Sequence, residues 1–447
     1  MKVNPKIFKA YDIRGVYPAE INGQTAYKIG RAFVEFLKKP QPKIVVARDG
    51  RFSSPVLRKN LVKGLVDSGA VVFDLGLATT PTFYFSAAHY GYDGGINITA
   101  SHNPKEYNGF KLVRENAFPI GENTGLRKIK DLAMGSITTR SINGSITKKK
   151  AIRDYLRFNL KEVNAKNLKP LKIIIDTANA VPGILIPYLA KSLPLKIHHL
   201  FKEIDGSFPN HSPDPSKKEN IAKLCSDVKK RKADFGVAFD GDGDRVVFID
   251  ENGRVVSADI IIALMAELIL RENPRKKILY DIRSSRAVKE VIKENGGIPV
   301  IWRVGHSFIK EKMRKEGIIF GGEFSGHYYH QRHYFCEAPL FVLLKIIELI
   351  SASGKTLSQL IKSYQRYYHS GEINFEVEDK AGKVGELKKR FSSGEVLEID
   401  GLRVDFEDWW FNVRPSNTEP LLRLVIEAKT KKLLEHKKKE LSALISS

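Results

Sequence analysis

"GVAFDGDGDRVVFI", from Gly236 to Ile249, sets three aspartates between two apolar runs. Gly236–Phe239 and Val246–Ile249 read as buried strands, and Asp240–Arg245 as the loop joining them. Carboxylates as close as Asp240, Asp242 and Asp244 repel one another strongly. A hard cation such as Mg²⁺ relieves that repulsion, and the intervening glycines let the backbone turn around it. An EF-hand is disfavoured. Glu251 stands at its twelfth position, but Arg245 fills the place that needs glycine, and strands rather than helices flank the loop. Two other readings stay open: a solvated acidic turn, and a phosphatase in which Asp240 is the nucleophile.

Outward from this loop, apolar runs alternate with amphipathic stretches. Ile44–Ala47, Val71–Phe73, Ile173–Ile175 and Ile318–Phe320 also read as buried strands, and Leu57–Val66, Ile260–Leu270 and Leu340–Ile350 as helices. That alternation predicts α/β domains with largely parallel sheets and crossover helices. The last part differs. Leu402–Phe406, Trp409–Val413 and Leu421–Ala428 read as a strand meander before one helix, an α+β pattern. Polar breaks near 138–150, 251–254 and 351–368 divide the chain into expected domains 1–150, 151–252, 253–365 and 366–447. No short repeat suggests a solenoid.

The 447 residues are 42% hydrophobic, enough for packed cores and too many for a disordered chain. The longest apolar stretch, Ile260–Leu270, is interrupted by Glu267 and is too short to span a bilayer, and no secretory leader is evident. Two cysteines, Cys225 and Cys336, exclude a disulfide framework and make the cytoplasm the expected compartment. The net charge of +23 suits an anionic partner. It is spread along the chain, with no zinc-finger spacing or RNA-binding signature, so a phosphorylated small molecule is expected before nucleic acid.

Three further loops carry candidate chemistry. "ITASHNPKEYNGFK" (Ile98–Lys111) leaves a strand-like run and crowds Ser101, His102 and Asn103 into one turn. Ser, Asn and Pro are ordinary turn residues, so a plain turn and a reactive serine are both open. Neighbours in extended backbone face opposite ways, which argues against His102 as the base of a hydrolase triad, and no GxSxG elbow is present. A metal at the acidic loop would favour phosphoryl over acyl transfer at Ser101. "GGEFSGHYY" offers Glu323, Ser325 and His327 to sugar hydroxyls, or is a simple glycine turn. Upstream, "VGHSFIK" sets His306 and Lys310 one helical turn apart. "VRPSNTEPLLR" joins Arg414, Ser416, Asn417 and Thr418, with Arg423 beyond, in a set that suits a phosphate dianion or forms a hairpin loop.

TASHNP, DGDGDR, GEFSGH and RPSNTEP, in that order, resemble the α-D-phosphohexomutase family, as do FKAYDIRG (Phe8–Gly15), ARDGR (Ala47–Arg51) and DGSFPNHSPDP (Asp205–Pro215). The resemblance covers nearly the whole chain and leans to the phosphomannomutase/phosphoglucomutase branch. It implies three similar α/β domains with mixed sheets plus a C-terminal α+β domain, around a central cleft. It implies that Ser101 carries a phosphoryl group, and that Asp240, Asp242, Asp244 and the phosphate on Ser101 bind Mg²⁺. Arg14 and Lys111 would neutralise the transferring group, with His102 beside them. Glu323 and Ser325 would hold the sugar. Arg414, Ser416, Asn417 and Thr418 would hold the phosphate that is not reacting. Tyr11, Arg245, Arg283, His306, His327 and Arg423 complete the expected substrate contacts. The implied cycle passes through hexose 1,6-bisphosphate, intermediate and activator, in a monomer that binds a phosphosugar and no membrane. A metal-dependent phosphatase and an inactive basic nucleic-acid-binding protein are the alternatives. Arg283, where some relatives carry Lys, Ala180 in DTANAVPG and FCEAPL (Phe335–Leu340) depart from the family pattern, and none is expected to touch the serine, metal or phosphate motifs.

Overall fold

The computed structural model describes residues 3–135, 144–416 and 421–446. Strands β1 (Ile13–Val16), β2 (Lys43–Arg48), β3 (Val71–Leu77), β4 (Gly94–Ile98), β5 (Tyr107–Arg114) and β6 (Ser145–Lys148) form one sheet, ordered β1-β5-β4-β2-β3-β6. The run β4-β2-β3-β6 is parallel, while β5 is antiparallel to β1 and β4. β2 and β4 are buried along most of their length, which is why their apolar runs show no alternation. Helices Gly23–Leu37 and Ser54–Val66 supply the crossovers. The first starts where the Asn22 side chain accepts from the Thr25 amide, and it buries Ala26, Ile29, Phe33 and Val34 at helical spacing. The exposed stretch 145–148, expected as part of a polar break, is instead an edge strand paired with β3.

The second sheet holds β7 (Lys172–Asp176), β8 (Lys196–Leu200), β9 (Phe235–Phe239), β10 (Val246–Ile249) and β11 (Val255–Val256), ordered β11-β10-β9-β7-β8. β9 and β10 are the antiparallel pair on either side of the acidic loop. Further on, β12 (Lys277–Asp281) lies parallel between β13 (Ile298–Trp302) and β14 (Phe320–Gly322), while β15 (Tyr328–His330) pairs antiparallel with β16 (Cys336–Glu337). The strand expected at Ile318–Phe320 begins only at Phe320. Ile318 belongs to the end of helix His306–Glu316: Gly317 is left-handed, and the Ile318 amide returns to the Met313 carbonyl. An apolar residue just past a left-handed cap packs back on its helix, and so imitates the start of a strand.

The C-terminal sheet comprises β17 (Tyr368–His369), β18 (Ile373–Glu376), β19 (Glu395–Leu397), β20 (Leu402–Asp405), β21 (Trp409–Pro415) and β22 (Leu421–Ala428), all antiparallel. Helices Lys380–Arg390 and Lys431–Ser446 pack on it, and the first, like β17–β19, escapes the sequence pattern because few of its residues are buried. The fold class is thus α/β with mixed sheets, followed by an α+β portion. By packing, the chain divides into two compact units, Met1–Val256 with Ser325–Gln359, and Ser257–Phe324 with Leu360–Ser447. No helix among the described residues is long and apolar enough to cross a membrane.

Candidate active site

In the first unit, the loop after β4 turns sharply at Ser101, whose φ is +50°. Its amide donates to Thr99 Oγ1 at 2.9 Å, and its hydroxyl donates to Asp240 Oδ2 at 2.7 Å. The side chain is 3% exposed. The same left-handed turn overturns the argument against His102. Alternation of side chains holds only for extended backbone, and here His102 Nδ1 comes within 3.3 Å of Ser101 Oγ. Burial, helped by the cations Arg245 and Arg14, pushes the His102 pKa well down and keeps its imidazole neutral.

Arg51 braces this turn. Its guanidinium donates to the carbonyls of Ser101 (2.8 Å), Asn103 (2.6 Å), Pro104 (2.6 Å) and Tyr107 (3.1 Å), and its Nε lies 3.2 Å from Asp49. Arg14 donates to Asn103 Oδ1 at 2.6 Å and is paired with Asp12. Tyr11, half-buried in the bend before β1, faces Arg14 electrostatically. The acidic loop meets the serine turn closely: a Cβ on Gly241 would stand 2.3 Å from the Ser101 carbonyl oxygen, so that contact requires glycine.

Asp240, Asp242 and Asp244 are buried, with ligand oxygens within 4.8 Å of one another. Asp240 Oδ1 accepts the amides of Asp244 and Arg245. Asp242 Oδ2 accepts from Thr80 Oγ1 at 2.6 Å and Lys111 Nζ at 2.7 Å, while Asp242 Oδ1 is buried with no hydrogen-bond partner among the described residues. Lys111 Nζ also lies 2.5 Å from Asp244, and His327 Nε2 is 3.3 Å from the same carboxylate. Burial and the two neighbouring aspartates push the Asp240 pKa up. Burial opposes ionisation of Asp244 too, but Lys111 and His327 outweigh it and hold its pKa well down. The same two carboxylates outweigh burial at Lys111 and raise its pKa, so the ammonium keeps its charge. Three aspartates gather around Lys111, with Arg245 4.0 Å from Asp240, so carboxylates outnumber the cations that touch them. An all-oxygen donor set in which Asp242 Oδ1 and Asp244 Oδ1 are buried without a hydrogen bond among the described residues fits a divalent hard cation.

Arg245 donates to His327 Nε2 at 3.3 Å, and Ser325 Oγ lies 2.9 Å from His327 Nδ1. A bridge between Arg245 and His327 ties this end of the glycine loop to the acidic loop. The structure thus gathers Ser101, His102, Arg14, Lys111, the three aspartates, Arg245, Ser325 and His327 in one unit.

The second unit gathers a different set. Glu323, 2% exposed, accepts from the Gly305 amide at 2.9 Å, just ahead of His306, which opens its helix half-buried. Arg283 pairs with Asp281 at 2.5 Å, and Asp281 also accepts the Phe324 amide. Arg414 and Arg423 stand directly opposite on β21 and β22. Glu372 receives both, at 3.0 and 3.2 Å, with Arg283 at 3.5 Å. Ser416 is half-buried, its amide bonded to the Leu421 carbonyl, and Asn417 and Thr418 lie outside the described residues. Sequence reasoning assigned no role to Arg51, Thr80 or Glu372. Arg51 lay within a quoted signature, whereas nothing local marks the other two.

Four consecutive segments match the phosphoglucomutase/phosphomannomutase family: alpha/beta/alpha domain I over residues 5–136, domain II over 153–253, domain III over 257–367 and the C-terminal domain over 372–444. The chain belongs to that family. A phosphohexose mutase of Xanthomonas campestris pv. campestris (strain B100) is 41% identical, the match covering 98% of each chain. A phosphomannomutase of Vibrio cholerae is 40% identical, again over 98% of each. Among solved structures, a phosphoglucomutase/phosphomannomutase family protein from Burkholderia thailandensis superposes with a TM-score of 0.90 at 33% identity, covering 99% of this chain and 97% of its own. The family is one of intramolecular phosphotransferases, and the chain is a phosphohexomutase.

Proposed function

We propose that the protein interconverts hexose 1-phosphate and hexose 6-phosphate, of mannose, glucose or both, through a phosphorylated Ser101 and a hexose 1,6-bisphosphate. The observation that carries this reading is the contact of Ser101 Oγ with Asp240 inside the three-aspartate cluster. A serine hydroxyl beside a site for a hard cation suits phosphoryl transfer. Asp240, Asp242, Asp244 and the phosphate on Ser101 would hold Mg²⁺, which supplies positive charge to the transferring phosphoryl group. Arg14 and Lys111 add fixed cations there, where equatorial oxygens carry the developing charge. In the first half-reaction the substrate hydroxyl oxygen bonds to phosphorus as the phosphorus–Oγ bond breaks. The proton lost by that hydroxyl equals the one Ser101 Oγ regains. His102, neutral and 3.3 Å from Oγ, is assigned to passing it on rather than keeping it. The second half-reaction reverses these steps at the other end of the sugar, after the bisphosphate has turned.

Glu323 and Ser325 are assigned to sugar hydroxyls, with Tyr11, Arg245, His306 and His327 as further contacts. Arg414, Ser416, Asn417 and Thr418, with Arg283 and Arg423, are assigned to the distal phosphate. The four-domain division given above, close to the matched family segments, is part of this reading, as are a monomer and a cytoplasmic location.

The test is a coupled assay with glucose 1-phosphate and mannose 1-phosphate, with a trace of the matching 1,6-bisphosphate, before and after EDTA. Formation of hexose 6-phosphate that EDTA abolishes and Mg²⁺ restores is expected. One-way release of inorganic phosphate would overturn the reading.

A further inference from the structure

Arg414 and Arg423 are a cross-strand pair of like charges, an arrangement that repels when nothing lies between them. Arg414 is 3% exposed, so water screens it little, and its pKa is pulled down by burial and by Arg283. What lies between them is the Glu372 carboxylate. One of its oxygens faces Arg414 and Arg283, and the other faces Arg423. Glu372 sits one residue before β18, which pairs with β22 from Ile373 onward, so the sheet itself carries the carboxylate to this place. Its geometry is that of an oxyanion gripped by guanidinium edges, the same geometry a phosphate monoester would demand of these groups.

We propose that Glu372 is the resident anion of this arginine cluster. It keeps Arg283, Arg414 and Arg423 converged when no phosphate is present and competes with the distal phosphate for the same donors. It is a positioning residue that sets how firmly either end of the substrate is held. The proposal rests on the assignment of the distal phosphate to these arginines. A competing internal carboxylate weakens both hexose monophosphates alike, which suits an intermediate that must let go in order to turn.

The experiment pairs Glu372→Gln with the parent protein and Arg414→Ala. Gln keeps the size and one acceptor and removes the charge. KM for hexose 1-phosphate and for hexose 6-phosphate should fall together by roughly three- to thirtyfold in Glu372→Gln, since one nearby negative charge is lost. Its Tm in phosphate-free buffer should drop. Added inorganic phosphate should raise it more than it raises the parent's, because the ligand now does the converging. A variant that folds only in phosphate would support the proposal equally. A rise in both KM values, a phosphate response no larger than the parent's, or failure to fold with or without phosphate would each overturn it. Arg414→Ala separates the two levels. If that variant keeps the parent's KM for both substrates, the phosphate assignment falls and takes the proposal with it. If it loses affinity while Glu372→Gln gains none, only the role of Glu372 falls.

Discussion

The serine turn and the arginine cluster solve the same problem with opposite signs. Around Ser101, three buried aspartates face Lys111 and Arg245, and carboxylates outnumber cations. Around Arg414, three arginines face Glu372, with Asp281 on Arg283 alone, and cations outnumber carboxylates. Each has a counterion at its centre, Lys111 between Asp242 and Asp244 in one and Glu372 among the three arginines in the other, with Arg245 beside Asp240 and Asp281 beside Arg283 at the margins. Buried like charges are costly, and they persist where a ligand of the opposite sign completes them. On the proposed reading the first cluster takes a hard cation and the second the distal phosphate, so separate parts of the chain supply the two charges.

Substitutions should separate these roles. Ser101→Ala should lower turnover in both directions by at least about a thousandfold, because the covalent relay is lost. Its Tm should stay near the parent's, and turnover within tenfold of the parent would remove Ser101 from the chemistry. Arg414→Ala should raise KM for both hexose monophosphates by roughly ten- to a hundredfold, the worth of a charge-assisted contact. Ser101 should still take up phosphate in that variant, and steady-state kinetics with phosphopeptide mapping reads both. Weakening of one substrate alone would break the symmetry assigned to the cluster.

Arg51→Lys should lower kcat by about tenfold with little change in KM, since an ammonium cannot span the four carbonyls the guanidinium holds. A pure KM effect would place Arg51 among the binding residues instead.

Acid should distinguish the two units. His330 is buried in the first unit with His333 3.4 Å away and Phe341 stacked on it, and burial, then Arg332 and Lys345, pulls its pKa down from 6.5 to about 3. The unfolded chain therefore binds a proton that the folded unit refuses. Stability is lost as pH falls from 6.5 toward 3, by about 2 kcal/mol at pH 5. Glu372 in the second unit has its pKa held down: burial opposes, and Arg283, Arg414 and Arg423 prevail. Its contribution is complete above its ordinary value of 4.5 and lost only below it. Hydrogen exchange between pH 6.5 and 5 should show peptides around 330–341 loosening while those around 372 and 414 hold. Loosening in the reverse order would contradict both assignments.

The two clusters also differ in how far the sequence reveals them. Asp240, Asp242 and Asp244 lie within five residues, so their repulsion is legible before any fold is known. The strands beside them were legible for the same reason: β10 spans the expected Val246–Ile249. Glu372 is invisible because its partners stand at 283, 414 and 423, and only sheet register brings them together. Thr80 reaches Asp242 across 162 positions. His102 shows the same limit: extended backbone would turn it away from Ser101, and the φ of Ser101 is not extended. Local spacing carries the chemistry of a contiguous loop, and what depends on register or on one backbone torsion must be seen folded.

The central claim is that Ser101 passes a phosphoryl group to the sugar and takes another back. Incubating the protein with hexose 1,6-bisphosphate labelled in its phosphates, removing the excess, and mapping the label by mass spectrometry tests this directly. The account predicts label on Ser101, stable until hexose 1-phosphate or hexose 6-phosphate is added, and then its appearance in bisphosphate. Label on Asp240, no label at all, or loss of label only to inorganic phosphate when sugar phosphate is added would contradict it.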